Sequence, residues 1–332
     1  MWPGAYDRSM SESGTVGSTG KTLAGTRRIV GMHPRTAART YFAAQALVGA
    51  AWWLSVFTFE GVRRATLGEL DPVLVAAFDL PLFVLASALA AFGLRWAACI
   101  AAPWTALVAA LMAGYATVTQ FAGWGAVLMV AAAACSTLAA ILLVLGEVPA
   151  RWVLLGPFAF REARPAATGA HLGRTIAQML VFWGLFLVVL PLLISWGEDR
   201  WRLRLDLPTW VQVCGLVVLV AASALGVWSA TSMATRGDGT PLPSATASRL
   251  VIAGPYRLVR NPMAVAGIAQ AVGVGLMLGS WLVVLYALAG SLLWNWVVRP
   301  LEEADLEARF GAEFVAYQER VACWVPRVPS RG

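Results

Sequence analysis

The stretch GPYRLVRNPM, residues Gly254–Met263, is polar and basic and lies between two long apolar runs. Pro262 cannot continue an incoming helix, because proline lacks a backbone N–H and disfavours helical geometry at the preceding Asn261. The pattern predicts a new helix that begins at Pro262, with Asn261 as its N-cap. Such a helix start favours anions through its unpaired N–H groups and dipole, and Arg257 and Arg260 add positive charge beside it.

The composition of the rest of the chain is that of a membrane protein. Of the 332 residues, 59% are hydrophobic and only 13% are charged, whereas charged residues approach about a quarter in soluble domains. Apolar runs of roughly 20 residues, each long enough to span a bilayer as a helix, recur along the chain. They lie at about 41–59, 73–93, 96–118, 122–145, 175–195, 210–230, 262–280 and 281–298. Because the runs are continuous rather than alternating, we predict an all-α polytopic protein with about eight transmembrane helices.

The composition shifts along the chain predict four regions. These are a flexible cytoplasmic tail (1–40), a four-helix membrane region of unknown role (41–146), a cytoplasmic linker (147–174) and a membrane core with a C-terminal amphipathic helix (175–332). Arginines near the span ends favour a multi-pass protein of the cell membrane with both termini in the cytoplasm. The net charge of +7 fits such loops better than nucleic-acid binding. Four cysteines without paired spacing and two histidines argue against a metal site.

Two further features of the sequence have alternative interpretations. Asp79 is the one acid inside a predicted span, and an interhelical hydrogen bond or helix cap next to Pro81 is favoured over a functional role. The loop Gly237–Pro243, GDGTPLP, is either a surface connector or a flap that folds over a ligand.

The C-terminal segment predicts a second helix start. Pro300 is expected to end or kink the eighth span and to begin another helix, with Glu302 and Glu303 in its first turn. Apolar residues then recur with helical spacing, which predicts one amphipathic helix on the membrane face. They are Leu306, Phe310, Phe314, Tyr317 and Val321.

The order of these motifs resembles that of a known membrane family. The GPYRLVRNPM stretch, a two-span hairpin, a Glu-Glu pair and FGAEFVAY are similar to the isoprenylcysteine carboxyl methyltransferase and phospholipid methyltransferase superfamily. The matching residues are Gly254, Tyr256, Arg260, Asn261, Pro262, Glu302, Glu303, Phe310, Gly311, Glu313, Phe314 and Tyr317. The resemblance covers the C-terminal third of the chain.

The resemblance implies a membrane methyltransferase that uses S-adenosylmethionine (SAM). Its acceptor would be lipophilic or lipidated, either isoprenylcysteine-carboxylate-like or phospholipid-like, and would be methylated at the cytoplasmic face of the bilayer. Implied cofactor-binding residues are Gly254, Tyr256, Arg260, Asn261, Pro262, Met263, Glu302 and Glu303, of which Arg260 and Asn261 are also implied catalytic residues. The helix start with Arg260 would hold the carboxylate of SAM, and the two glutamates would accept from its ammonium or ribose hydroxyls.

The sequence also departs from the family pattern. Asn261 stands where the prenylcysteine enzymes carry His, and Ala264 stands where a Tyr is usual, which leaves the substrate class open. Two alternatives are an NADPH-dependent membrane reductase of the steroid-reductase type and a degenerate, non-catalytic family member. The Glu302–Glu303 pair favours the methyltransferase over the reductase.

Overall fold

The computed structural model describes residues 33–149, 180–237 and 249–326, together with residues 173 and 177. The first 32 residues, most of the predicted linker and the predicted loop beyond Gly237 lie outside these described residues. Within the described part of the chain all regular structure is helical and no strand occurs, which confirms the predicted fold class.

Among the described residues, seven helices are long and apolar enough to cross a membrane, and one shorter apolar helix accompanies them. The seven are α1 (Pro34–Thr58), α3 (Pro72–Ala91), α4 (Arg95–Thr119), α5 (Gly123–Leu145), α6 (Leu180–Arg200), α7 (Thr209–Arg236) and α9 (Trp281–Phe310). The shorter helix is α8 (Pro262–Leu278), and two short helices, α2 (Glu60–Leu67) and α10 (Ala312–Arg320), complete the set. The protein is therefore a polytopic helical membrane protein.

The α8–α9 hairpin is as tight as predicted. Gly279 follows α8 in the left-handed conformation, with φ 67°, which glycine adopts at low cost. Ser280 then caps α9 by accepting a hydrogen bond from Val283 N. With 17 residues, α8 is shorter than the roughly 20 residues that a bilayer span needs, and it packs against both α7 and α9.

Three of the long helices contain a π-helical turn beside a proline. The three turns are Leu80–Leu85 with Pro81, Gly184–Val189 before Pro191, and Trp294–Val298 before Pro300. A wider turn relieves the clash between a proline ring and the carbonyl one turn earlier. The prediction that Pro300 begins a new helix is therefore wrong, because α9 runs without a break from Trp281 to Phe310.

The C-terminal amphipathic segment is divided at Gly311. This residue has φ 51° and separates the end of α9 from the start of α10. Phe314 and Tyr317 on α10 are buried, at 2% and 3% exposure. The predicted apolar stripe thus lies on two helices, and its buried part belongs to α10.

The helices form a front body, α1–α5, and a back body, α6–α10, which are joined by contacts at one end. Trp201 Nε1 donates to Thr117 Oγ1 at 2.9 Å, and Arg200 Nε donates to the carbonyl of Thr117 at 2.6 Å. Nearby, Trp124 stacks on Trp281 with ring centroids 5.7 Å apart. Since successive spans alternate in direction, this end is opposite to the start of α8 and to the described chain ends, which share one face.

Buried polar side chains in the front body bond to one another. Asp79 accepts from the indole N–H groups of Trp53 at 2.8 Å and Trp104 at 2.9 Å, which confirms the predicted interhelical hydrogen bond. Gln45 donates to Ser87 Oγ at 2.9 Å and accepts from Ser136 Oγ at 2.6 Å. These bonds tie α1 to α3, α4 and α5 inside the membrane region.

Candidate functional site

Four segments of the back body converge at the start of α8. They are the 3-10 turn Gly254–Arg257, the first turn of α8, the Glu302–Glu303 region of α9, and the chain from α10 to Cys323. Gly254 has φ 60°, and a Cβ atom there would lie 2.5 Å from Ser232 Oγ on α7. A glycine is therefore required where the turn packs closely against α7.

Asn261 connects three of these segments. Its Oδ1 accepts from Ala264 N at 3.1 Å, which confirms the predicted N-cap. Its Nδ2 donates to Glu302 Oε2 at 3.2 Å, and its backbone N–H donates to the carbonyl of Cys323 at 3.4 Å. The backbone N–H of Ala264, one of the groups predicted to bind an anion, is therefore already hydrogen-bonded to this side chain.

Most hydrogen-bond donors of the Arg260 side chain are used within the protein. Its Nη2 donates to Glu303 Oε1 at 2.9 Å, and its Nη1 donates to the carbonyls of Gln318 at 3.0 Å and Val321 at 2.9 Å. Its backbone N–H donates to the carbonyl of Ala322 at 2.9 Å. The Nε of the same guanidinium is buried and has no hydrogen-bond partner. Arg260 is thus a brace between α8, α9 and α10 whose Nε stays unpaired.

Tyr256 presents a hydroxyl with no partner. The residue is 6% exposed, and its backbone carbonyl accepts from the Tyr317 hydroxyl at 2.6 Å, while its own Oη is buried and unpaired. Burial raises the pKa of Tyr256, and the nearby Glu302 carboxylate raises it further. The hydroxyl therefore stays protonated at neutral pH and is available as a hydrogen-bond donor.

These groups surround a cavity of about 80 Å³. Its polar lining includes Tyr256, Arg260, Asn261, Arg299, Glu302 and Glu303, and its apolar lining includes Val251, Leu306, Phe310 and Phe314. Five of the eight residues predicted from the sequence thus line one cavity, whereas Gly254, Pro262 and Met263 are not part of the lining. The cavity is smaller than the roughly 300–1,000 Å³ typical of ligand pockets, so a larger ligand would have to widen it.

Sequence reasoning missed Arg299 and Cys323. Burial raises the pKa of the Cys323 thiol, and a hydrogen bond from Arg299 acts in the opposite direction. Arg299 Nε is buried without a partner, like the Nε of Arg260. The position of Arg299 directly before Pro300 was a usable signal, whereas nothing in the sequence indicated that Cys323 folds back against the start of α8.

Most of the site lies inside a stretch that matches a known family. Residues 210–313 match the family model for phospholipid methyltransferase. The match runs from the start of α7 into α10, so it includes Gly254–Met263 and the Glu302–Glu303 pair and confirms the resemblance predicted from the sequence. No curated protein matches the chain. The match supports a membrane methyltransferase in general, and the front body lies outside it.

Proposed function

We propose that the chain is an integral membrane methyltransferase that binds SAM in the cavity at the start of α8. The observation that supports this most is that three residues that line the cavity each carry a buried donor without a partner: Tyr256 Oη, Arg260 Nε and Arg299 Nε. Buried polar groups are nearly always hydrogen-bonded, so unpaired donors on residues around one cavity are suited to a ligand with acceptor atoms. The carboxylate of SAM is such a group.

A carboxylate is also available for the ammonium group of SAM. Glu302 accepts one hydrogen bond, from Asn261, and its other carboxylate oxygen takes none from the described residues. That oxygen can accept from an ammonium group or from ribose hydroxyls. Glu303 differs, because it is paired with Arg260. We therefore assign ligand contact to Glu302 and positioning of Arg260 to Glu303.

SAM supplies a methyl group on a sulfonium, and the chain's task is to orient the donor and exclude water. Orientation alone can supply a large part of the rate acceleration in such a displacement. The bonds of Arg260 and Asn261 to α9 and to the C-terminal segment hold the cavity wall in one arrangement. The apolar side chains of Phe310 and Phe314 line the same cavity and keep water away from it.

We further propose a phospholipid-like acceptor at the cytoplasmic face. The family description supports the phospholipid class over the isoprenylcysteine class. Arginines cluster at the face that carries the site, including Arg95, Arg249, Arg257 and Arg299, and such an excess favours the cytoplasmic side. Both described chain ends share that face, in keeping with cytoplasmic termini.

Isothermal titration of the purified protein with SAM and, separately, NADPH tests the proposal. We expect SAM to bind and NADPH not to bind. Glu302→Gln should weaken SAM binding by about tenfold, because it removes a charge-assisted hydrogen bond. Glu307→Gln is the matched control, since Glu307 is exposed on the same helix. NADPH binding in place of SAM would favour the reductase, and binding of neither would favour the non-catalytic member.

A further inference from the structure

A second concavity lies on the bilayer-facing side of the back body. It is formed by the segment Leu180–Leu192 of α6, the middle of α7 and the second half of α8, and it encloses about 510 Å³. We call it the α6–α8 groove. Its lining is apolar except for Ser223 and Gln270. Its volume falls within the roughly 300–1,000 Å³ range of small-molecule pockets.

The packing of α7 and α8 explains why the groove is hollow. A Cβ atom on Gly273 would lie 2.8 Å from Leu219 N, and one on Gly215 would lie 2.6 Å from Met277 N. The two helices therefore meet at backbone distance and form a smooth floor.

The outer wall of the groove is held by a different contact. The π turn Gly184–Val189 of α6 forms part of the wall. On its other side, Tyr286 on α9 donates a hydrogen bond to the carbonyl of Phe186 at 3.3 Å. This contact fixes the wall to α9 rather than letting it close onto α7 and α8.

Gln270 gives the groove a polar point inside the membrane region. The residue is 1% exposed, and its Nε2 donates to Ser223 Oγ at 3.0 Å. A carboxamide nitrogen carries two N–H groups, and the described residues provide an acceptor for only one of those on Gln270. An unused N–H group on a side chain inside the membrane region is available to a ligand. An ester carbonyl is a group that the unused N–H could bind.

The groove and the methyltransferase site lie along the same helix, α8. Asn261 at the start of α8 belongs to the site, and Gln270 is nine residues further along the same helix, which corresponds to about 13.5 Å. Between them, Gly226 on α7 lies close to Trp183, Ala266 and Gln270. A molecule with its head group at the site and its chain in the groove would have the dimensions of one phospholipid.

We propose that the α6–α8 groove binds an acyl chain of the phospholipid acceptor, with the ester linkage near Gln270. This inference rests on the proposed function, since it is the methyltransferase site that places a head group next to the groove. The apolar lining holds the chain through burial of hydrocarbon, and Gln270 sets how deeply the chain enters. The groove thereby selects lipids with an ester-linked chain.

Photo-crosslinking tests the groove without relying on catalysis. The full chain is reconstituted in phosphatidylcholine vesicles with a phosphatidylethanolamine probe that carries a diazirine in one acyl chain. We expect labelling to concentrate on peptides from the groove walls. Leu219→Trp, which fills the groove from α7, should reduce it by about tenfold. Val217→Trp is the control, because Val217 is 62% exposed on the same helix.

Two further variants keep the test decisive. Leu187→Trp fills the groove from α6 and should have the same effect if Leu219→Trp fails to fold. Gln270→Leu keeps the volume and should lower labelling by about threefold, because one hydrogen bond is lost. Labelling that is spread evenly over the apolar surface, or that both Trp variants leave unchanged, would overturn the proposal. Displacement of the probe by a farnesylated cysteine but not by unlabelled phosphatidylethanolamine would also overturn it.

A SAM titration on the same preparations separates the two proposals. Groove labelling in a protein that does not bind SAM would support an acyl-chain site in the groove but reject the methyltransferase, and with it the assignment of that lipid as the methyl acceptor. SAM binding together with labelling spread over the whole apolar surface would reject the acyl-chain site in the groove and leave the methyltransferase proposal intact.

Discussion

The front and back bodies differ in how their buried polar side chains are satisfied. In the front body, Gln45 and Asp79 each bond to two neighbouring side chains from other helices. In the described part of the chain, the buried side-chain polar atoms without a partner all belong to the back body. They are Glu198 Oε1, Tyr256 Oη, Arg260 Nε, Trp294 Nε1 and Arg299 Nε.

This difference separates a region built for stability from one built for a ligand. Each buried polar group without a partner costs about 1–3 kcal/mol. Tyr256, Arg260 and Arg299 all line one cavity, where a ligand could recover that cost. Glu198 lies at the opposite end, where it bonds the Ser280 hydroxyl at the start of α9. We propose that the front body is a scaffold and takes no part in the chemistry.

The largest effect is expected from removing the brace in the back body. Arg260→Ala leaves Glu303 without its ion pair and frees two carbonyls of the C-terminal segment. Breaking such a pair should lower the free energy of unfolding by about 3 kcal/mol, together with SAM affinity. Thermal unfolding in detergent measures the first effect. Arg257→Ala, an exposed arginine in the same stretch, should be nearly neutral, and an equal loss in both variants would refute the brace.

A smaller effect is expected from breaking the front-body hydrogen bonds. Asp79→Ala leaves two indole N–H groups without an acceptor, and membrane hydrogen bonds of this kind predict a loss of about 1–3 kcal/mol. SAM affinity should not change, because Asp79 belongs to the front body. Thermal unfolding and SAM titration are compared with Glu69→Ala, an exposed acid of the same body. A loss of SAM affinity with Asp79→Ala would mean that the two bodies are not functionally separate.

Tyr317→Phe should have a modest effect on stability. It removes the 2.6 Å hydrogen bond to the carbonyl of Tyr256, which is worth about 1 kcal/mol. Thermal unfolding should show a larger loss than Tyr286→Phe, whose bond to Phe186 is longer, at 3.3 Å. An unchanged unfolding temperature in Tyr317→Phe would show that this bond does not hold the turn.

The sequence predicted the spans and the meeting of the two motifs, but not the detailed role of each residue. The spans followed from apolar runs because bilayer thickness fixes their length. Pro300 was misjudged because α9 continues through a π turn beside it. A proline by itself does not indicate whether a helix ends or continues through such a turn. The hydrogen bonds of Arg260 within the protein could not be predicted for another reason. Two of its partners are backbone carbonyls, at Gln318 and Val321, and any residue type carries a carbonyl.

The central claim is that the unpaired donors of Tyr256, Arg260 and Arg299 serve SAM, and Tyr256→Phe tests it most directly. The variant removes one hydroxyl that has no protein partner and changes nothing else. We predict an unfolding temperature that is unchanged or higher and a SAM affinity that is about tenfold weaker by titration. A lower unfolding temperature with unchanged SAM affinity would contradict the account, because the hydroxyl would then serve the fold and not the ligand.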